Sequence, residues 1–138
     1  MVTIIMSNKL RAGIIGATGM VGQRFITLLQ NHPYFEISVL AASPRSAGLK
    51  YSEAVGQRWK MSSDIPESVK DMVVMSSDKI EEISKLVDFV FCAVDMKKEE
   101  IKALEEAYAK AEIPVVSNNS ANRWTEDVPM VIPEINDE

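Results

Sequence analysis

The stretch 10–22, Leu-Arg-Ala-Gly-Ile-Ile-Gly-Ala-Thr-Gly-Met-Val-Gly, constrains this chain more than any other. A short apolar run breaks into Gly13, Gly16, Gly19 and Gly22, and an amphipathic helical pattern follows at 20–30. The spacing of Gly16, Gly19 and Gly22 is the G-x-x-G-x-x-G form of a dinucleotide fingerprint. Glycines there permit a tight turn and close approach of a pyrophosphate, and the N-terminus of the following helix faces that anion. Glycines also mark ordinary turns. The strand before, the helix after and the position at the start of a domain favour the nucleotide. On this reading valine at Gly16 or Gly19 should abolish nucleotide binding while leaving a folded domain.

Apolar runs of strand length alternate with helical patterns along the chain, which predicts an α/β fold: a Rossmann-type, doubly wound, mainly parallel sheet. Strands are expected at 10–15, 35–42, 72–75, 87–94 and 113–117, and helices at 20–30, 80–86 and 97–111. The first helix would bury Val21, Phe25, Leu28 and Leu29, and His32-Pro33 would end it. The last would bury Ile101, Leu104, Tyr108 and Ala111, leaving its charge run solvated and Glu106 spaced to pair with Lys110. Residues 51–71 read as a loop with a short helical piece, 118–127 as a polar loop, and 130–132 as a final apolar piece. With 138 residues, 46% hydrophobic and 25% charged, the chain suffices for one domain with a core, 1–138, of which 1–8 would be a flexible extension.

The net charge of −5 argues against nucleic acid or an anionic membrane surface as partner, since either calls for a basic face. No run is long enough to span a bilayer and the start does not resemble a signal peptide, so a cytoplasmic protein is expected. Cys92 is the only cysteine and His32 the only histidine. An internal disulfide is impossible and no dedicated zinc site is expected.

In a sheet of this kind an acidic residue about 20 positions past the glycines usually holds the ribose 2′-hydroxyl. Here the place is taken by Ala41-Ala42-Ser43-Pro44-Arg45-Ser46. A guanidinium between two hydroxyls suits a phosphate dianion, so Ser43, Arg45 and Ser46 point to NADP rather than NAD. The plain alternative is a solvated loop. The run ending at Ala93 and Val94 would reach the same crevice and pack along the cofactor. Cys92 invites a nucleophilic reading, but inside an apolar run it reads as an inert core thiol. In 117–123, Asn118 and Asn119 could hold the nicotinamide carboxamide and Arg123 an anionic substrate, although Ser and Asn favour turns anyway.

Several motifs now add up. Gly13-Ile-Ile-Gly-Ala-Thr-Gly-Met-Val-Gly-Gln-Arg-Phe, His32-Pro-Tyr-Phe, Ala41-Ala-Ser-Pro-Arg-Ser-Ala-Gly, Asp64-Ile-Pro, Ser117-Asn-Asn-Ser and Asp127-Val-Pro-Met-Val-Ile-Pro-Glu-Ile-Asn stand in this order. Together they resemble the N-terminal part of aspartate-semialdehyde dehydrogenase of the archaeal and fungal type, from about residue 9 to the end. Malonyl-CoA reductases are similar to the same branch.

The resemblance implies NADPH-dependent reductive dephosphorylation of L-aspartyl 4-phosphate to aspartate 4-semialdehyde, a step feeding lysine, threonine, methionine and isoleucine biosynthesis. In that chemistry a cysteine thiolate attacks the acyl phosphate and the thioester accepts hydride, with release of phosphate. Gly16, Thr18, Gly19, Met20 and Val21 match the family's pyrophosphate loop, Ser43, Arg45 and Ser46 its 2′-phosphate site, Ala93 and Asn118 positions along the cofactor, and Arg123 its substrate-phosphate arginine. The family's nucleophile lies in a Pro-Asn-Cys segment beyond the matched stretch, with the catalytic histidine later still. Neither Cys92 nor His32 aligns with them. The chain is therefore expected to be the cofactor domain, truncated before the substrate and dimerisation domain, inactive alone and part of a homo-oligomer when full-length. The competing readings are a non-catalytic NADP-binding sensor module and the cofactor domain of a malonyl-CoA reductase.

Overall fold

The computed structural model describes residues 8–136; most of the expected N-terminal extension, 1–7, lies outside the described residues. Five strands, β1 (Leu10–Ile15), β2 (Phe35–Ala42), β3 (Met75–Ser76), β4 (Phe89–Cys92) and β5 (Val115–Ser117), form one sheet in the order β3-β2-β1-β4-β5. Every strand pair is parallel. Connections run outward from β1 first to one side and then to the other, so the switch point lies between β1 and β4, where a doubly wound sheet binds its ligand.

Helices α1 (Met20–Leu28), α2 (Tyr51–Val55), α3 (Glu67–Lys70), α4 (Ile80–Ser84) and α5 (Lys98–Lys110) cover the sheet, and α6 (Pro133–Asn136) ends the described chain. Successive strand side chains face opposite sides. Ile14, Leu40 and Ala42 pack on one face with Ile26, Leu29, Tyr51, Val55 and Val69. Ile15, Val39, Ala41, Val90 and Cys92 pack on the other with Ile83 and Tyr108. Cover on both faces explains why β1 and β4 read as nearly continuous apolar runs.

Several expectations change. In α1 the covered residues are Gly22, Gln23 and Ile26, followed by Leu29. Val21 is 40% and Leu28 61% exposed. The helix meets the sheet through its glycine, which lets the backbones approach and turns Val21 and Leu28 outward. In α5 the buried residues are Ile101, Glu105 and Tyr108, so one acid of the supposed solvated run lies inside and Ala111 lies outside. Among the described residues no ion pair joins Glu106 to Lys110. Finally, 51–71 holds α2, a 3-10 turn at Gly56–Arg58 and α3. The third strand starts only at Met75, preceded by an isolated bridge from Val73 to Lys50.

Candidate functional site

The ladder register brings the strand ends carrying the candidate residues together. Ile15 pairs with Ala41 on one side and Cys92 on the other, and Cys92 pairs with Ser117. The segments after these residues, 16–21, 43–46, 93–94 and 118–123, therefore open side by side along the carboxyl edge. Backbone bonds lock the exits. Gly16 and Ala17 donate their N–H groups to the Ala41 carbonyl (2.9 and 3.0 Å), Ala93 donates to Ile15 (2.9 Å), and Asn118 to Cys92 (2.9 Å).

The glycine loop is built around Gly16, whose φ is +91°. A Cβ there would overlap the Ala93 carbonyl and lie 3.0 Å from Val94 N, so only glycine lets β1 leave the sheet this close to the β4 exit. At Gly22 a Cβ would overlap the Gly16 carbonyl and stand 2.9 Å from the Ala17 Cα, which fixes how closely α1 sits on the loop. Gly19 is different: the nearest atom to an added Cβ, the Gly16 carbonyl oxygen, is 3.6 Å away. It is the N-cap of α1, and a Cβ there would make only ordinary van der Waals contact.

Each carbonyl of the loop has a partner within the protein. Gly16 O accepts from Gly19 N (3.3 Å) and Gly19 O from Gln23 N (2.9 Å). Ala17 O accepts from the Tyr51 hydroxyl (2.7 Å) and Thr18 O from Gln23 Nε2 (2.9 Å). Among the described residues, the N–H groups of Thr18, Met20 and Val21 donate to no backbone or side-chain acceptor. The loop and first helical turn thus present donors with their acceptors already satisfied, the arrangement that receives an anion.

On the β2 side, Ser43 and Arg45 are exposed. Ser46 is 8% exposed, its N–H bonded to the Ser43 carbonyl (2.9 Å) in a tight turn. Among the described residues no ion pair engages Arg45. The loop is anchored where Gly48 N–H donates to Val74 O and Ser77 N–H to Ala42 O, both 2.8 Å.

At the β5 exit the two asparagines separate. Asn119 donates Nδ2 to the Val94 carbonyl (2.8 Å) and accepts from Val94 N–H at Oδ1 (3.3 Å), clamping the exits of β4 and β5 together. Both ends of its amide are taken, so of the two candidates only Asn118 is exposed. Its carbonyl accepts from the Arg123 guanidinium (3.1 Å). Asn118, Asn122 and Arg123 line a cleft of about 550 Å³ with the apolar side chains Val116, Met130 and Ile132. The loop is held from below by buried Glu105, whose Oε1 accepts from Asn122 Nδ2 (3.3 Å); Asn122 Oδ1 in turn accepts from Thr125 Oγ1 (3.0 Å).

Cys92 is 1% exposed and belongs to the core. Burial, with the nearby Glu105 carboxyl adding to it, pushes its thiol up to about 12, which keeps it protonated and unreactive at neutral pH. His32 Nδ1 accepts the N–H groups of Tyr34 and Phe35 (3.1 and 3.2 Å), and its ring stacks on Phe35. Among the described residues no group of three His, Cys, Asp or Glu side chains could hold a metal ion, and no helix is long and apolar enough to cross a membrane.

Gln23 and Tyr51 were not among the candidates. For Gln23 a signal existed: a polar residue stands beside Gly22 and three before Ile26, on the face the fingerprint commits to the sheet. Tyr51 carries no local signal, because its role depends on a packing partner 34 positions away.

Residues 11–138 match the family model described as semialdehyde dehydrogenase, NAD binding domain. The chain is 46% identical over 133 residues to the aspartate-semialdehyde dehydrogenase of Saccharomyces cerevisiae, an alignment covering 96% of this chain and 35% of that protein. It is 46% identical over 126 residues to that of Methanothermobacter thermautotrophicus, covering 91% and 34%. The crystal structure of aspartate semialdehyde dehydrogenase with NADP from Candida albicans superposes with a TM-score of 0.84 at 43% identity, covering 93% of this chain and 34% of that one. The chain thus spans about a third of the length of the relatives it matches.

Proposed function

The chain belongs to the semialdehyde dehydrogenase NAD-binding domain family, and from that footing we propose that it is the NADP-binding part of an aspartate-semialdehyde dehydrogenase. The observation that carries the reading is the glycine loop, whose carbonyls are satisfied within the protein while, among the described residues, the N–H groups of Thr18, Met20 and Val21 remain unengaged. Together with the room beside Gly19, where an added Cβ would make only ordinary contact, this fits a diphosphate. Gly16, Thr18, Gly19, Met20 and Val21 would hold it. The exposed Arg45 guanidinium, with Ser43 and Ser46 on the same turn, would take the 2′-phosphate, and 41–46 contains no carboxylate to repel it.

Ala93, packed against Gly16, and exposed Asn118 would flank the nicotinamide half. Arg123, exposed at the cleft with its guanidinium on the Asn118 carbonyl, would meet the anionic group of the substrate. Bound NADPH supplies hydride for reduction at an acyl carbon. The substrate we propose is L-aspartyl 4-phosphate, reduced with loss of phosphate to aspartate 4-semialdehyde on the route to lysine, threonine, methionine and isoleucine. The names of relatives in yeast and an archaeon and the motifs shared with that branch support this. The covalent step requires an accessible thiolate, and the one cysteine here is buried and protonated. The cofactor half of the chemistry is therefore what these residues provide.

Calorimetric titration with NADPH and NADH tests the reading. NADPH should bind more tightly, and Arg45→Ala should remove about 1–3 kcal/mol of the difference, the scale of a charge-assisted hydrogen-bonded contact. Equal affinities in the unaltered protein would overturn the assignment of Arg45.

A further inference from the structure

Two of the four carbonyl partners in the glycine loop are side chains, and both are buried, Tyr51 at 0% and Gln23 at 1% exposure. A trans peptide points its N–H opposite to its C=O. With the Ala17 carbonyl drawn onto the Tyr51 hydroxyl, the Thr18 N–H must point away from the core. With the Thr18 carbonyl drawn onto Gln23 Nε2, the Gly19 N–H turns back to Gly16 O and closes the turn. The N–H groups of Met20 and Val21 are then left at the mouth of α1.

Neither side chain has another orientation open to it. Gln23 Nε2 also donates to Arg58 O (2.9 Å), and its Oε1 accepts from Lys60 N–H (2.9 Å). A flipped amide would set its oxygen against two carbonyls and its nitrogen against an N–H. The Tyr51 ring stands nearly perpendicular to Trp59, with centroids 6.4 Å apart, and its hydroxyl can only donate to a carbonyl.

We propose that Gln23 and Tyr51 are positioning residues for cofactor binding: from beneath, they hold the peptides at Ala17–Thr18 and Thr18–Gly19 so that the loop offers N–H groups to the diphosphate. This rests on the reading of the glycine loop as the NADP site. It makes the loop a shape imposed by two distant parts of the chain as well as by its glycines. It also ties the segment 58–60, through the Arg58 carbonyl and the Lys60 N–H, to cofactor affinity.

The test uses the 15N-labelled chain, titrated with NADPH and with adenosine 2′-monophosphate, which carries the 2′-phosphate but no diphosphate. Tyr51→Phe keeps the ring and removes the hydroxyl; Gln23→Met keeps the approximate volume and removes the amide. Each should weaken NADPH by about three- to ten-fold, the worth of a neutral hydrogen bond, and leave the affinity for adenosine 2′-monophosphate unchanged. The NADPH-induced shifts of the Thr18, Met20 and Val21 amides should shrink in step. A purely structural role would lower the melting temperature and weaken both ligands alike, and that result overturns the proposal, as does unchanged NADPH affinity. Should Gln23→Met fail to fold, Tyr51→Phe decides alone. If NADPH binds the unaltered chain without moving any of the three amides, the glycine-loop reading itself falls and takes the proposal with it.

Discussion

Gly16 and Gly19 carry the same fingerprint and answer to different constraints. At Gly16 a side chain would meet the backbone of Ala93 and Val94 and would require an L-residue at φ +91°. Gly16→Val should therefore damage the fold itself, against the expectation that both positions tolerate valine. Gly19→Val has room, with the nearest atom to its Cβ at 3.6 Å, and should keep the fold while filling the space a diphosphate needs. Thermal melts followed by circular dichroism, beside an NADPH titration, separate the two; tight binding by Gly19→Val would mean that the glycine serves only the turn. Cys92 bears on alkaline stability. Burial holds its thiol near 12 and pushes the Tyr51 and Tyr108 phenols above their ordinary range. All three stay protonated in the folded chain at a pH where an unfolded chain would release protons. Stability is then complete below the ordinary thiol value of about 8.5 and is lost as pH rises toward the folded values. The urea midpoint should fall between about pH 8 and about pH 10.5, less steeply in Cys92→Ala. A flat profile would contradict the burial of all three.

At the scale of elements, the sequence made legible whatever depends on periodicity and obscured what depends on partners. β1, β2 and α5 appear within a residue or two of their expected bounds, because long apolar periods dominate local choices. The faces of the helices were harder to read. Val21 and Leu28 fit an apolar stripe, yet α1 touches the sheet through Gly22 and Ile26, because the glycine allows the closer approach. Glu105 fits a solvated run, yet it is buried under the loop that holds Asn118 and Arg123; only the fold brings Asn122 to it. In the candidate site, the residues at strand ends were legible from topology alone. The separate duties of Asn118 and Asn119 were not, since both stand in one polar run and only the β4 exit distinguishes them. Alanine substitutions in α1 test this account. Ile26→Ala, removing a side chain with no exposure, should cost about 2–4 kcal/mol, whereas Leu28→Ala on the outer side should cost less than about 0.5 kcal/mol. Equal losses in urea titrations would restore the stripe read from the sequence.

Across the whole molecule, chemistry-bearing groups are distributed by the direction of the sheet. A parallel sheet sends every strand's carboxyl end to one edge, and the glycine loop, the Arg45 turn, Ala93, Asn118 and Arg123 all collect there. His32 precedes β2 and so lies at the opposite edge, about 25 Å away by the rise of an eight-residue strand. There its Nδ1 is spent on the N–H groups of Tyr34 and Phe35. Cys92 is at the correct edge but turned into the core between Ile15 and Tyr108, with its thiol held protonated. Among the described residues the crevice thus gathers unengaged backbone N–H groups, a guanidinium and amides, and neither a thiolate nor an imidazole. Purified as it stands, the chain should bind NADPH and show no phosphate-dependent reduction of NADP by aspartate semialdehyde, because holding the hydride carrier does not replace the covalent step. Cys92→Ser should leave NADPH affinity unchanged and lower stability only modestly, by altering the core. The assay is absorbance of the reduced cofactor with phosphate, NADP and aspartate semialdehyde supplied together. Turnover that disappears in Cys92→Ser would show that the buried thiol reaches the crevice and would overturn the division of labour argued from the sheet.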